Sequence, residues 1–177
     1  LQLACIRAYN DWMHEFRSVA PEQLIGLPIA PMTGIEDLLL EWKREADRGA
    51  KGLIISSYPN GTAQPKPEDD RFWAEVEEWD YPVHIHFGFF GGGGTTGPTS
   101  QGGIPSGLTY LTSALLARIG ANVYRTLGDI VYGGLFERFP KLKVVAVETG
   151  IGWIPAFLEG MDDNFLRLRW RSGVHLK

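Results

Sequence analysis

The sequence predicts an α/β domain built on a parallel sheet. Apolar segments of strand length alternate along the chain with segments of helical period. The stretches between the strand segments are long enough for a helix, which a crossover between parallel strands requires. The polar residues of the strand segments gather towards their carboxyl ends. Four strands are expected, near 24–30, 52–57, 82–88 and 142–149, in sequential order. With no internal repeat and no linker, residues 1–177 read as a single domain.

The opening helix rests on Leu3, Ile6, Ala8, Tyr9, Trp12, Met13 and Phe16, which recur at helical spacing up to about Ser18. LIGLPIAP (24–31) follows as a short buried strand. Thr33 and Glu36 have the spacing of a capping box, in which hydroxyl and carboxylate each satisfy an orphan amide. The helix they open turns Leu38, Leu39, Trp42 and Ala46 inward and stops at Gly49. GLIISS (52–57) is the second strand, and 65–70 is a turn into a helix around Phe72, Trp73, Val76 and Trp79. Residues 108–139 read as helical, with a break at Gly120 or at Gly133-Gly134. KLKVVAVET (141–149) is the fourth strand and 154–170 the closing helix.

The third strand carries the most chemistry. In Tyr81-Pro-Val-His-Ile-His-Phe-Gly88, alternation puts Val83, Ile85 and Phe87 on one face and His84 and His86 on the other. Imidazole is the commonest metal ligand and the usual acid/base group near neutral pH. The two histidines are therefore site candidates, or else hydrogen-bonded core residues. The glycine-rich stretch 89–107 leaves the carboxyl end of this strand, where ligands bind in βα folds. It reads either as a lid over a substrate or as a disordered loop; its glycines do not match a phosphate-binding spacing.

Composition narrows the class. A net charge of −4 and a pI near 5.6 argue against a nucleic-acid or anionic-membrane surface. Arg167, Arg169 and Arg171 suit the solvated end of a helix. The single cysteine, Cys5, rules out an internal disulfide framework and suits a reducing compartment, so the cytoplasm is the expected location. Neither a membrane-spanning apolar run nor a signal peptide is visible. The chain opens with Leu-Gln-Leu-Ala inside a helical pattern rather than with Met, and so reads as an internal fragment.

Three segments carry a family resemblance: Pro82-Val-His-Ile-His86-Phe-Gly, Gly134-Leu-Phe-Glu-Arg-Phe-Pro-Lys-Leu-Lys-Val-Val145 and Glu148-Thr-Gly-Ile-Gly-Trp-Ile-Pro155. Together they resemble the amidohydrolase-related (amidohydrolase 2) family, which includes aminocarboxymuconate-semialdehyde decarboxylase and γ-resorcylate decarboxylase. The resemblance implies a (β/α)8 barrel, of which this chain would hold strands three to six. It also implies one divalent metal ion, usually zinc, and hydrolysis or decarboxylation of small carboxylated, often aromatic, substrates.

On that resemblance His86 matches the metal-binding histidine of the fifth strand. His84 would then support the metal ligand from behind or line the pore, and Trp153 would likewise stand behind the ligand or near the substrate. Thr149 stands where the decarboxylases have a sixth-strand histidine, with Glu148 beside it; alternation lets only one of the two face the barrel axis. Because Thr149 cannot donate a proton near neutral pH as imidazole can, hydrolysis is favoured over decarboxylation. The family's first-strand ligand pair and its eighth-strand aspartate find no match, and neither His14 nor His175 fills the gap. One strong ligand is fewer than a catalytic zinc needs, so the expected reading is an inactive piece of a metal-dependent enzyme. Two rivals stand beside it: a complete, non-catalytic α/β module that binds a ligand or partner, and a half-barrel completed by another chain. The open edges of the outer strands, 24–30 and 142–149, predict self-association and a homo-oligomer.

Overall fold

The computed structural model describes residues 1–86 and 119–172, with side chains at 1–86 and 123–171. The expected end of the histidine strand at Phe87 and Gly88, the stretch 89–107, the helical start at 108–118 and His175 lie outside the described residues. The elements are α1 (Gln2–Ser18), α2 (Ile35–Asp47), β1 (Leu53–Ile55), a 3-10 turn (Pro67–Asp69), α3 (Asp70–Glu78) and β2 (Pro82–His86). They continue with α4 (Ile119–Tyr132), α5 (Leu135–Arg138), β3 (Lys143–Val147) and α6 (Ile154–Ser172).

The three strands form a parallel sheet in the order β1-β2-β3. Leu53 pairs with Val83, and the β2–β3 ladder runs from Pro82 with Lys143 to His86 with Val147. One face of the sheet is apolar: Leu53, Ile55, Val83 and Ile85 are buried against Leu38 and Trp42 of α2 and Phe72, Trp73 and Val76 of α3. Burying these side chains is the main force holding helices to sheet, worth roughly 1.5–3 kcal/mol for each large apolar residue. The opposite face carries the histidines and is far more open.

The expected first strand shrinks to a single parallel bridge, Ile29 to Ile54. Ala30 N donates to Ile54 O at 2.8 Å and Ile54 N to Pro28 O at 2.9 Å. Pro28 and Pro31 flank this bridge and have no N–H to extend the ladder, which explains why it stops. On its other side, both backbone groups of Ile29 are taken by one buried amide. Asn10 Oδ1 accepts from Ile29 N at 2.8 Å, while Asn10 Nδ2 donates to Ile29 O at 3.1 Å. A side chain of α1 thus does the work of a neighbouring strand at this point. At this one residue the outer edge is met by a side chain of the same chain.

The seal is itself supported. Asn10 Nδ2 also donates to Glu41 Oε1 at 2.9 Å, and Glu41 is fully buried. Arg7 and Arg44 both donate to the same carboxylate. Arg17 Nη1 and Nη2 each donate at 2.8 Å to the end of α2, at Gly49 O and Arg48 O, where a cation also meets the negative end of the helix dipole. α1 and α2 are therefore joined by polar contacts rather than by an apolar seam.

Local signals fare unevenly. Gly49 ends α2 as expected, with φ +81°, a left-handed conformation that glycine adopts without a Cβ clash. The break in the long helical stretch falls at Gly133-Gly134, where Gly134 has φ +66°, and not at Gly120. The capping box does not form. Gly34 occupies the N-cap, so Thr33 lies one residue too early; its hydroxyl donates to Asp37, and Glu36 pairs with Arg71.

Glu41 sets the acid limit of the fold. Burial by itself would raise its pKa, but the hydrogen bonds from Arg44, Asn10 and Arg7 prevail and hold it below the usual 4.5. A carboxylate with a depressed folded pKa contributes stability above its unfolded value and loses it as the pH falls through the folded one. Urea unfolding should therefore show stability declining below about pH 4.5, with that decline blunted in Glu41→Gln. At neutral pH Glu41→Ala should cost about 3–5 kcal/mol, since it leaves buried partners unpaired. Asn10→Ala should cost about 1–3 kcal/mol.

Candidate metal and catalytic site

The alternation of β2 puts His84 and His86 on the sheet face opposite Val83 and Ile85. In register, His84 lies between Ile54 and Val145, and His86 lies beside Val147. Val145 is 39% exposed, so this face is accessible next to the histidines.

His86 is the last residue of β2 and its side chain is 35% exposed. Its Nε2 lies 3.5 Å from Glu148 Oε2. The contact depends on an unusual backbone. Were the chain to stay extended past Val147, Glu148 would point to the helix-covered face, away from His86. Instead Glu148 has φ +58°, in the left-handed region that a non-glycine residue enters at a cost of roughly 1–3 kcal/mol. The turn breaks the alternation and swings the carboxylate round to the imidazole. Gly150 follows with φ +65° and completes the change of direction.

Thr149 goes elsewhere. Its hydroxyl donates to Gly150 O at 3.3 Å, and the residue lines an apolar groove of about 690 Å³ between α4, β3 and α6. Of the adjacent pair, it is Glu148 that the fold brings to His86. Trp153 fixes the turn: its Nε1 donates to Thr149 O at 2.9 Å and to Gly150 O at 3.0 Å. The indole is held in turn by Tyr124 and Phe157, with ring centroids 4.7 and 5.6 Å away. Trp153 thus acts on the backbone of the turn.

His84 is not part of this pair. Its ring leans back towards the start of β1, where a Cβ on Gly52 would lie 2.8 Å from His84 Cε1 and 3.0 Å from Pro82 O. The absence of a side chain at Gly52 makes room for the imidazole. His84 Nδ1 is buried and makes no hydrogen bond of normal geometry, although the Leu53 and Pro82 backbones are near. Burial lowers its pKa and favours the neutral ring.

Two features of the structure left no clear mark in the sequence. Tyr124 lies in a helical stretch where nothing singles it out as the support of Trp153. The turn before α3 is organised by buried Asp69, which accepts from Asn60 N and Lys66 N, both at 2.7 Å, and from Asn60 Nδ2. Burial raises the Asp69 pKa against those hydrogen bonds. The Pro-rich spacing pointed to a turn but not to a carboxylate at its centre.

Among the described residues no group of three or more His, Cys, Asp or Glu side chains could hold a metal ion. His86 and Glu148 offer one imidazole and one carboxylate, short of the three protein ligands of a catalytic zinc. These residues alone do not fit a complete metal centre.

A family model described as "Amidohydrolase" matches residues 1–175. The chain belongs to the amidohydrolase family. No curated protein is detectably similar to it in sequence. Among solved structures, an amidohydrolase from Mycobacterium avium subsp. paratuberculosis is 19% identical, with a TM-score of 0.66 over 95% of this chain and 43% of that one. The 2,6-dihydroxybenzoate decarboxylase from Rhizobium is also 19% identical, with a TM-score of 0.60 over 99% of this chain and 52% of that one. At such identity the likeness concerns the fold. The chain spans about half the length of these structures.

Two expected outcomes check the geometry by urea unfolding. Glu148→Gly should leave stability within about 1 kcal/mol of the starting protein, because relief of the left-handed strain offsets glycine's greater freedom when unfolded. Glu148→Val should lose more, since β-branching fits that conformation badly. Gly52→Ala should cost about 1–3 kcal/mol through overpacking. Adding His84→Ala should recover part of that loss, and a double-mutant cycle without coupling would show that the two residues do not touch.

Proposed function

We propose that this chain is the central portion of a (β/α)8-barrel enzyme of the amidohydrolase family, strands three to six of eight, acting on a small carboxylated or cyclic substrate by hydrolysis. The observation that carries the reading is the pairing of His86 with Glu148 at the carboxyl end of a parallel sheet, within a chain that the family model spans almost completely. Ligands of βα folds bind at that end. The apolar groove beside β3, the last strand of the sheet, supports the barrel reading, for a further βα unit would bury it.

In this reading His86 is one ligand of a divalent metal ion, zinc by the usual family pattern, and its remaining ligands come from outside the residues described here. The metal would supply Lewis-acid polarisation. The part played by this chain's own residues is narrower. Glu148 orients the His86 ring from 3.5 Å away and can hold a proton at its carboxylate. Trp153 keeps the turn that presents Glu148 from relaxing. Thr149 takes no part in proton transfer.

A carboxy-lyase reaction is the second reading, prompted by the likeness to the Rhizobium decarboxylase fold. The carboxylate beside His86, and the threonine in place of a decarboxylase histidine, favour hydrolysis. In the natural polypeptide that carries this chain, His86→Ala should remove bound divalent metal and turnover together, by metal analysis and activity assay. Retained metal and turnover would refute the assignment. Release of carbon dioxide from a carboxylated substrate would replace hydrolysis with the lyase reaction.

A further inference from the structure

β1 and β2 run parallel, with Ile54 beside His84 and Ile55 beside Ile85. One residue further in the same register Ser56 stands beside His86, across a strand spacing of about 4.8 Å. Alternation sends Ser56 to the histidine face, because Leu53 and Ile55 are buried in the core on the other. The Ser56 hydroxyl donates to Met32 Sδ at 2.8 Å. Met32 follows the bridge at Ile29 and is 38% exposed. On the far side of His86 lie its register partner Val147 and then Glu148. Met32, Ser56, His86 and Glu148 thus form a row along the carboxyl end of the sheet, where βα folds bind their ligands.

Met32 is held in place. Gly61, with φ +81°, lets the turn after β1 approach so closely that a Cβ there would lie 2.6 Å from Met32 O. Asn60 fixes that turn, its N and Nδ2 donating to buried Asp69. The Ser56 hydroxyl is more loosely engaged. A thioether sulfur is a weak acceptor, so an oxygen of a bound molecule can take its place and make the stronger bond. The polarizable thioether itself packs well against a ring. Among the described residues, 31–33, 56–58, 85–86 and 147–149 at this end of the sheet include no Lys or Arg. Carboxylates are typically gripped by charged donors, the guanidinium fork above all. A single neutral hydroxyl beside an apolar side chain suits an uncharged carbonyl oxygen on a small ring.

We propose that Ser56 and Met32 form the substrate-binding side of the His86–Glu148 site. Ser56 Oγ donates to the carbonyl oxygen of a small uncharged ring, of the lactone or cyclic-amide type, and Met32 covers the face of that ring. The proposal rests on the hydrolytic reading of this site and narrows its substrate from carboxylated or cyclic to uncharged and cyclic. Ser56 holds the substrate and transfers no proton.

Isothermal titration calorimetry of the natural polypeptide that carries this chain tests the proposal. Phthalide, an uncharged lactone, and benzoate are the probes, and metal content is measured in every sample. Phthalide should bind more tightly than benzoate. Ser56→Ala should raise the phthalide dissociation constant about fivefold, the loss of one neutral hydrogen bond, with metal content unchanged. Ser56→Thr, which keeps the hydroxyl, should restore the affinity. Met32→Leu removes the competing sulfur but keeps the apolar surface, so phthalide should bind it at least as tightly; a hydroxyl that served only to brace Met32 would lose affinity there too. Phthalide that fails to bind, binds Ser56→Ala undiminished, binds Met32→Leu more weakly, or binds less tightly than benzoate would overturn the proposal. A starting protein without metal would count against the hydrolytic reading instead, and phthalide affinity that falls in Ser56→Ala would still support the subsite.

Discussion

His86 and Glu148 meet because β2 and β3 lie side by side, parallel and in a register that sets His86 next to Val147. Parallel pairing brings both carboxyl ends to the same edge of the sheet, and one further residue of β3 then reaches the imidazole. A register slip of one residue would turn His86 to the helix-covered face and bury it among Leu53, Val83 and their neighbours. What prevents such a slip is the apolar alternation. Val83 and Ile85 gain burial against α2 and α3 in only one register, so the hydrophobic side of the sheet determines the chemistry of the other.

The same constraint explains why the backbone is strained at Glu148. The sheet offers alternate residues to its two faces, and both Val147 and the next acidic group are wanted on the histidine side. Regular strand geometry cannot supply two successive residues to one face. A left-handed turn can, and Trp153 holds it through the two carbonyls at Thr149 and Gly150. Strain of this sort persists only where surrounding contacts over-determine it. The aromatic stack of Tyr124, Trp153 and Phe157 provides those contacts.

At the opposite edge the fold solves a different problem. A strand interrupted by prolines cannot present a full ladder, and Ile29 would be left with an unmet donor and acceptor. Asn10 meets both, and the buried Glu41 carboxylate, with Arg7 and Arg44 around it, keeps Asn10 in place. An amide reproduces the donor and acceptor of a peptide group, which is why a single asparagine can satisfy both groups of Ile29. The inner face of α1 is committed to this polar junction. Its aromatic side chains are consequently turned outward.

The sequence by itself determined the class of fold, the helix of α1, the stop at Gly49 and the side of β2 on which the histidines lie. Each of these follows from local periodicity or from the conformational freedom of glycine, and both are written into a few adjacent residues. Tertiary structure decided what depended on distant partners. Alternation could not choose between Glu148 and Thr149, because the left-handed turn that decides it rests on Trp153 and Tyr124. His84 and His86 look equivalent in the chain, yet Gly52, just before the neighbouring strand, leaves room that draws one ring back into packing, and the other lies beside a carboxylate. The capping box at Thr33 had the right residue types one position too early, and the seal at Ile29 required an asparagine nineteen residues away. Periodicity records which face a side chain prefers; only the assembled sheet and helices decide which partner it finds there.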